Sequence, residues 1–556
     1  MDAPHYMTMT GISPEKVAIM AFSLGTGVVV LGVIYNYFFH PLAQVPGPWT
    51  GAIFPFWTMS SLHRRRLNPD LAELHKKYGQ IPSPASLGLR QPADVPAGYN
   101  TGPVVRVGPN QLSFATVEAQ KMIYNAKPTH TGSDELFGRD GTLQDVLLSM
   151  ILGAANIGSL SNRAEHKKMR KRLQPGFTSK ALFEQESLLR LHMDRLLNGL
   201  AQDTGVIDLT EYFSSFLWDL IGDLSFGEPL VREKHDTLRS LVGVYQGCFP
   251  VLEAINYAVP QIEGVLKLVL QLVPPATLRA VLPTSTFREI ATWLELVEQS
   301  SHIKAPLTEG IFSSCVDRHD GRSDFLTHIM GDKSSNPTDL ELSYDELHSN
   351  ATVIMIAGYK TTETSLSALF YRLLSTPGVL EKLQTELFSN FQSIEEITGK
   401  KLLSLPYLNG CVNESLRLTP AVAGKFASRR SPGAVIEGLY VPIGTEVYTE
   451  TYTMQRSPQY WHAPDEYRPE RWFERGEGSP YAQDMHEAFK PFSSGPRACL
   501  GREMALQTLR LTTALLVYRF HLKMVNEDRF VWEQDTDSRM VYSKYQIKAI
   551  LQDRLT

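Results

Sequence analysis

The chain holds four cysteines, and one of them, Cys499, sits in a setting that could do chemistry: the stretch Phe492 to Gly501, "FSSGPRACLG". A thiolate is favoured by a nearby cation and by a helix N-terminus. Arg497 lies two residues before it, and the run that follows, "LGREMALQTLRLTTALLVYRF", reads as a helix. Gly495 permits a tight turn, Pro496 stiffens it, and Gly501 removes a side chain where a flat macrocycle would press. The combination presents a thiolate to a haem iron, with Arg497 neutralising a haem propionate and Phe492 packing on the loop. The rival is a nucleophilic cysteine, but no His-bearing catalytic signature accompanies it.

Two further groups carry chemistry. Ser343 and Glu346 form a capping box, and Pro377 ends the helix it opens after about thirty residues. In its middle Gly358 costs roughly 1 kcal/mol against alanine, and Thr361 and Thr362 are poor helix formers, so a local distortion is expected there. A small-residue gap at Ala357 and Gly358 followed by a hydroxyl makes a pocket for a diatomic ligand; a plain helix crossing is the alternative. In "LPYLNGCVNESLRLTP" Glu414 and Arg417 share a helix face at i, i+3, and Arg471 in "EYRPERW" could reach the same carboxylate bidentately. Solvated surface charges are the competing reading.

The elements that position these groups are mainly helical. Composition is 43% hydrophobic and 20% charged with a net charge of -5, an ordered globular chain with no electrostatic case for nucleic-acid binding. Cys248, Cys315 and Cys411 read as small buried hydrophobes, and the absence of paired spacing points to a reducing compartment. Residues 17–39 carry no formal charge and are long enough to span a bilayer, giving an uncleaved anchor with a cytoplasmic body behind it. Residues 1–40 are therefore expected to be the anchor, 41–48 a stiff proline-rich linker, and 49–556 the catalytic domain. Residues 80–101, rich in Pro, Ala, Ser and Gly, read as a loop insert. Short β-branched runs around "GPNQ" predict a hairpin over residues 104–114. Residues 248–275 are apolar but interrupted by charge, which fits a surface that touches lipid or lines an apolar entrance, or else ordinary core helices.

With these motifs in place, the chain resembles the cytochrome P-450 superfamily. "FSSGPRACLG" is similar to its haem loop, "AGYKTT" to its oxygen-binding helix motif, "ESLR" to its E-x-x-R, and "YRPERW" to its F-x-P-x-R-F segment. "HKKMR" resembles the helix that holds a propionate, placing His166 and Arg170 there. The apolar N-terminus with "PGP" resembles microsomal members, and "PVVRVGPNQLSF" resembles filamentous-fungal ones.

The resemblance implies a mainly α fold with a small β region, preceded by one membrane helix in the endoplasmic reticulum. It also implies haem b on Cys499, with Ala357, Gly358, Phe492, Gly495, Arg497 and Gly501 around it, and Arg429 (or its neighbour Arg430) as a further propionate partner. Thr361 would be the catalytic hydroxyl, and Glu414, Arg417 and Arg471 a buried structural triad. Electrons would come from NADPH through a separate reductase docking on Lys167, Lys168 and Arg172. The expected reaction is monooxygenation of an apolar small molecule, a terpenoid or polyketide of fungal secondary metabolism, with Lys425 available to a substrate carboxylate.

Two departures stand out. Lys360 occupies the place where the family usually has an acid before its threonine. That leaves water-mediated proton delivery through Thr361, or substitution by Glu363 if the helix unwinds locally. It also motivates a haem-thiolate isomerase or dehydratase that needs no dioxygen; a non-catalytic haem protein has no dedicated feature. The second departure is the insert at 80–101, for which an unspliced intron is one origin.

Overall fold

The computed structural model describes residues 30–78, 104–125, 137–138, 154–227, 229, 324–330 and 342–554, with Ser23, Thr26 and Gly27. Most of the anchor, the insert at 80–101, the apolar stretch 248–275, Cys248 and Cys315 lie outside the described residues.

The fold is mainly α with small sheets. Eight helices position the site: α1 (Val117–Asn125), α2 (Arg163–Leu173), α3 (Glu186–Gln202), α4 (Leu209–Phe226), α5 (Tyr344–Ser375), α6 (Val379–Asn390), α7 (Pro406–Leu418) and α8 (Arg502–Arg519). The expected capping box opens α5: Ser343 Oγ accepts from Glu346 N–H and Glu346 returns to Ser343 N–H. Two of the four orphan amides of a helix start are thereby paired reciprocally. The helix then runs 32 residues and packs against α4, α7 and α8. It is the axis of the largest apolar core, to which Phe213, Leu217, Phe370, Leu416 and Leu515 all contribute.

The expected hairpin is present. Strands β1 (Val104–Gly108) and β2 (Gln111–Phe114) pair antiparallel, and β2 runs parallel to β4 (Glu446–Thr449), which also pairs with β3 (Arg429–Arg430). This sheet has the order β1-β2-β4-β3. Its interior strands are buried along their length, as strands covered on both faces must be.

The proline-rich residues 41–48 are part of the body rather than a free spacer. Leu42 and Val45 are buried, and Arg106 N–H donates to Pro46 O at 2.7 Å. The Arg106 guanidinium, itself buried, reaches back to Asn36 O at 3.0 Å, so the end of the preceding helical stretch is bolted to β1. Among the described residues no helix is long and apolar enough to cross a membrane. Residues 30–39 are nonetheless helical and expose Val30, Leu31, Ile34, Phe38 and Phe39.

Candidate active site

The cysteine loop folds as a tight turn. Gly495 has φ +75°, and a Cβ there would lie 2.1 Å from Tyr124 O, so only glycine fits. Ala498 N–H donates to Gly495 O and Cys499 N–H to Phe492 O, both at 3.0 Å, which closes the loop on itself. Phe492 is half-buried against the main core. The chain then enters α8, so Cys499 lies just ahead of an 18-residue helix. Cys499 is exposed, while Cys411, the other free thiol among the described residues, is buried as expected.

Cys499 is exposed to solvent, yet protein packs around its thiol. That packing pushes its thiol up from the ordinary value, while a hydrogen bond from Gly501 N–H and the charges of Arg170 and Arg502 pull it back toward the thiolate. The cations are not the one expected. Arg497 turns away and donates to Leu160 O at 2.7 Å and Ser161 O at 2.6 Å. Arg170, projecting from α2, donates to Ala498 O at 2.6 Å and brings its charge to the sulfur. Arg502 was missed, although it adjoins Gly501 in sequence.

His166 is buried in α2, four residues from Arg170 and on the same face. Lys167 and Lys168 are exposed there, whereas Arg172 turns inward and lies 3.6 Å from Glu346. Strand alternation separates Arg429 from Arg430. Arg429 is buried over the Tyr124 ring, the residue whose carbonyl abuts Gly495, while Arg430 donates to Gly444 O in a hairpin.

On α5 the structure corrects one expectation. No distortion occurs at Gly358; the helix is continuous from Tyr344 to Ser375. A Cβ on Gly358 would meet Ile221 of α4 at 3.4 Å, an ordinary van der Waals contact, so the helix crossing lies beside this glycine without requiring it. The neighbouring Ala357 is exposed in the middle of an otherwise internal helix, and Thr361, one turn on, lies along the same stripe. Thr361 Oγ1 donates to Ala357 O at 2.7 Å, which orients its lone pairs outward.

Lys360 and Glu363 are not available to this face. Lys360 Nζ donates to Glu363 Oε2 at 2.6 Å and to Tyr545 Oη at 2.9 Å. With an unbroken helix, Glu363 projects from nearly the opposite side to Thr361 and cannot replace the missing acid. Lys425 is equally committed: fully buried, it pairs with Glu446 at 3.0 Å and is closed to a substrate carboxylate.

The three charges of the E-x-x-R and Y-R-P-E-R segments meet in the core. Arg417 grips both oxygens of Glu414 at 2.8 Å, and Arg471 Nε reaches Glu414 Oε1 at 2.8 Å. All three side chains are fully buried. Burial raises the Glu414 carboxyl, but Arg417 and Arg471 outweigh it and hold the group below the usual carboxylate range. Asp484, which no motif announced, completes the set by accepting from Arg471 Nη1, so two guanidiniums face two carboxylates. Trp472 Nε1 adds a hydrogen bond to Glu414 at 3.0 Å.

These residues fit a haem. Cys499 offers one open sulfur, Ala357 offers a bare patch of helix, and a Cβ on Gly501 would meet nothing within 4 Å. Among the described residues no group of three His, Cys, Asp or Glu side chains could hold a metal ion. A single thiolate suits an iron whose other ligands come from its own macrocycle.

A helix-rich fold with a thiolate loop ahead of α8 and a small-residue patch on α5 defines a haem-thiolate class, and comparison with known proteins agrees. The cytochrome P450 family model matches residues 100–549, and the chain belongs to that family. It is 86% identical over 560 residues to the sesterfisheric acid synthase of Neosartorya fischeri, covering 100% of both chains. It is 38% identical over 526 residues to a cytochrome P450 monooxygenase of Colletotrichum orbiculare, covering 94% of this chain and 90% of that one. A Fusarium proliferatum cytochrome P450 monooxygenase is 35% identical over 537 residues, covering 95% and 94%. The chain is an enzyme of the cytochrome P450 monooxygenase family, which implies a haem-iron cofactor.

Proposed function

We propose that this protein oxygenates an apolar terpenoid of fungal secondary metabolism, carrying one carbon as far as a carboxylic acid. The carrying observation is the similarity to a synthase of sesterfisheric acid at 86% identity over the whole chain. Making a carboxyl from a methyl takes three successive two-electron oxidations, so the product of each round must stay in or return to the same site.

Haem iron, when bound, supplies dioxygen activation, with thiolate ligation favouring O–O cleavage. Cys499 would be its protein ligand; burial raises its thiol, and Gly501 N–H, Arg170 and Arg502 oppose that rise. His166, Arg170, Arg429 and Arg497 would be its propionate partners by the family resemblance, with Arg497 first having to exchange its bonds to Leu160 O and Ser161 O. Thr361 Oγ1, anchored to Ala357 O, would hold the water that brings protons to the reaction face. Lys360 is held by Glu363 and is not offered to the reaction face, which supports monooxygenation over a dioxygen-independent isomerase.

Electrons would arrive from NADPH through a separate reductase docking on the exposed Lys167 and Lys168 of α2. The chain would be held at the endoplasmic reticulum by residues 17–39 with its body in the cytoplasm. The exposed apolar side chains of 30–39, continued by Trp49, Phe54 and Phe56, support that anchoring. Extraction of the membrane fraction with alkaline carbonate tests it; release of the full chain into the supernatant would count against a spanning helix.

The deciding experiment combines the carbon-monoxide difference spectrum of the reduced protein with turnover of a panel of apolar terpenoids by NADPH and reductase. A strongly red-shifted Soret band and an acid product are expected. A haem-loaded protein without that band would refute the thiolate assignment, and a banded protein inert on terpenoids would refute the substrate class.

A further inference from the structure

The lysine that interrupts the oxygen-helix motif belongs to a closed network on the flank of α5. Glu363 Oε2 accepts from Lys360 Nζ at 2.6 Å and from Tyr545 Oη at 2.7 Å. Tyr545 Oη also accepts from Lys360 at 2.9 Å and bonds Thr364 Oγ1 at 2.8 Å. The hydrogens can be assigned without conflict: Tyr545 donates its one proton to the carboxylate and accepts from the ammonium and the threonine. Burial and the Glu363 charge push the Tyr545 phenol well above its usual range, so it remains the donor. Its ring stacks on Trp532, 4.9 Å between centroids, which fixes it to the C-terminal segment.

The network grips residues 360, 363 and 364 and leaves Thr361 out. At about 100° per residue, Thr361 points some 160° away from Glu363, toward the exposed Ala357 stripe. The turn is therefore held from behind by an element that comes from the far end of the chain. Gly358 and three threonines in this stretch (Thr361, Thr362 and Thr364) give it little intrinsic helical stability, so an external hold has something to correct.

We propose that Glu363 and Tyr545 are positioning residues for Thr361. With Lys360 they clamp the 360–364 turn to the C-terminal segment, keep α5 straight there, and confine the Lys360 charge to the side away from the reaction. This rests on the proposed proton-delivering role of Thr361.

Four variants of the full chain test it: Tyr545→Phe, Lys360→Met, Glu363→Gln, and the swap Lys360→Glu with Glu363→Lys. Two readouts are taken. Amide hydrogen exchange measured by mass spectrometry on peptides covering residues 354–366 reports the clamp without turnover. The ratio of product to NADPH consumed, with hydrogen peroxide measured alongside, reports proton delivery in the haem-loaded enzyme. In the single variants, exchange in this turn should quicken at least tenfold and the product ratio fall three- to tenfold, with peroxide rising to match and the carbon-monoxide band intact. The swap should return both to within about twofold of wild type. Unchanged exchange in Tyr545→Phe overturns the clamp, and quickened exchange with a wild-type product ratio overturns the positioning role. Loss of the carbon-monoxide band from the wild type would instead strike the haem-thiolate reading, while the exchange result would still judge the clamp.

Discussion

The cysteine loop and the Glu414 network lie on neighbouring elements, α8 and α7, and use arginine in opposite ways. In the network, Arg417 and Arg471 donate to carboxylates and are fully buried, so each charge is cancelled where it stands. At the loop, Arg170 donates to the neutral carbonyl of Ala498, so its charge remains effective at Cys499. One region spends its cations on rigidity and the other keeps them for an anion. A buried pair that loses one partner is left with an uncompensated charge, whereas a half-open loop tolerates a lost charge with a change in tuning.

Substitutions can break or sharpen this contrast. The largest effect belongs to the one atom the open region cannot replace: Cys499→Ser should abolish the red-shifted carbon-monoxide band while leaving a folded chain, as seen by circular dichroism. Next, Glu414→Gln should cost about 3 to 5 kcal/mol by stranding Arg417 and Arg471, and no haem-loaded protein should accumulate. Asp484→Asn, which disturbs only one of the two guanidiniums, should lower Tm by less. Equal losses from the two would show that the network is not centred on Glu414.

Gly495→Ala tests the loop's backbone: the positive φ and the Tyr124 carbonyl together should cost roughly 2 to 4 kcal/mol, read as loss of haem retention on heating. A buried acid outside both regions gives a pH signature. Glu450 is fully buried, neither of its oxygens has a partner among the described residues, and burial raises its carboxyl to about 8. Between its ordinary value of 4.5 and about 8 the folded chain holds a proton that the unfolded chain has released, so stability falls as pH rises through that window. Glu450→Gln should flatten the fall, its advantage over wild type growing to a few kcal/mol, at about 1.4 kcal/mol per unit, by pH 8. An unchanged pH profile of Tm would mean that Glu450 is paired and charged. The smallest effect is at the exposed edge: Lys167→Glu with Lys168→Glu should slow reduction by the reductase about three- to tenfold at low salt, with substrate affinity unchanged.

Local chemistry was legible where spacing alone carries it. The capping box, the hairpin, the start of α7 at Pro406 and the turn at Gly495 depend on residues a few positions apart, and all appear where the sequence places them. What failed were partners. Arg497 lies nearest to Cys499 along the chain, yet Arg170, over 300 residues upstream, supplies the charge together with Arg502. Gly358 reads as a site of distortion, yet the helix runs unbroken past it where it crosses Ile221.

The sequence by itself determined the elements, the thiolate loop and the family, because these rest on short-range sterics, helix capping and motif order. Tertiary structure alone decided which charges cancel: that Lys425 is spent on Glu446, that Asp484 completes the buried network, and that Lys360 is held by Tyr545. A pair on one helix, such as Glu414 with Arg417, is legible from its spacing. A pair between distant elements forms only where folding brings the groups within a few ångströms, and separation along the chain carries no information about that distance.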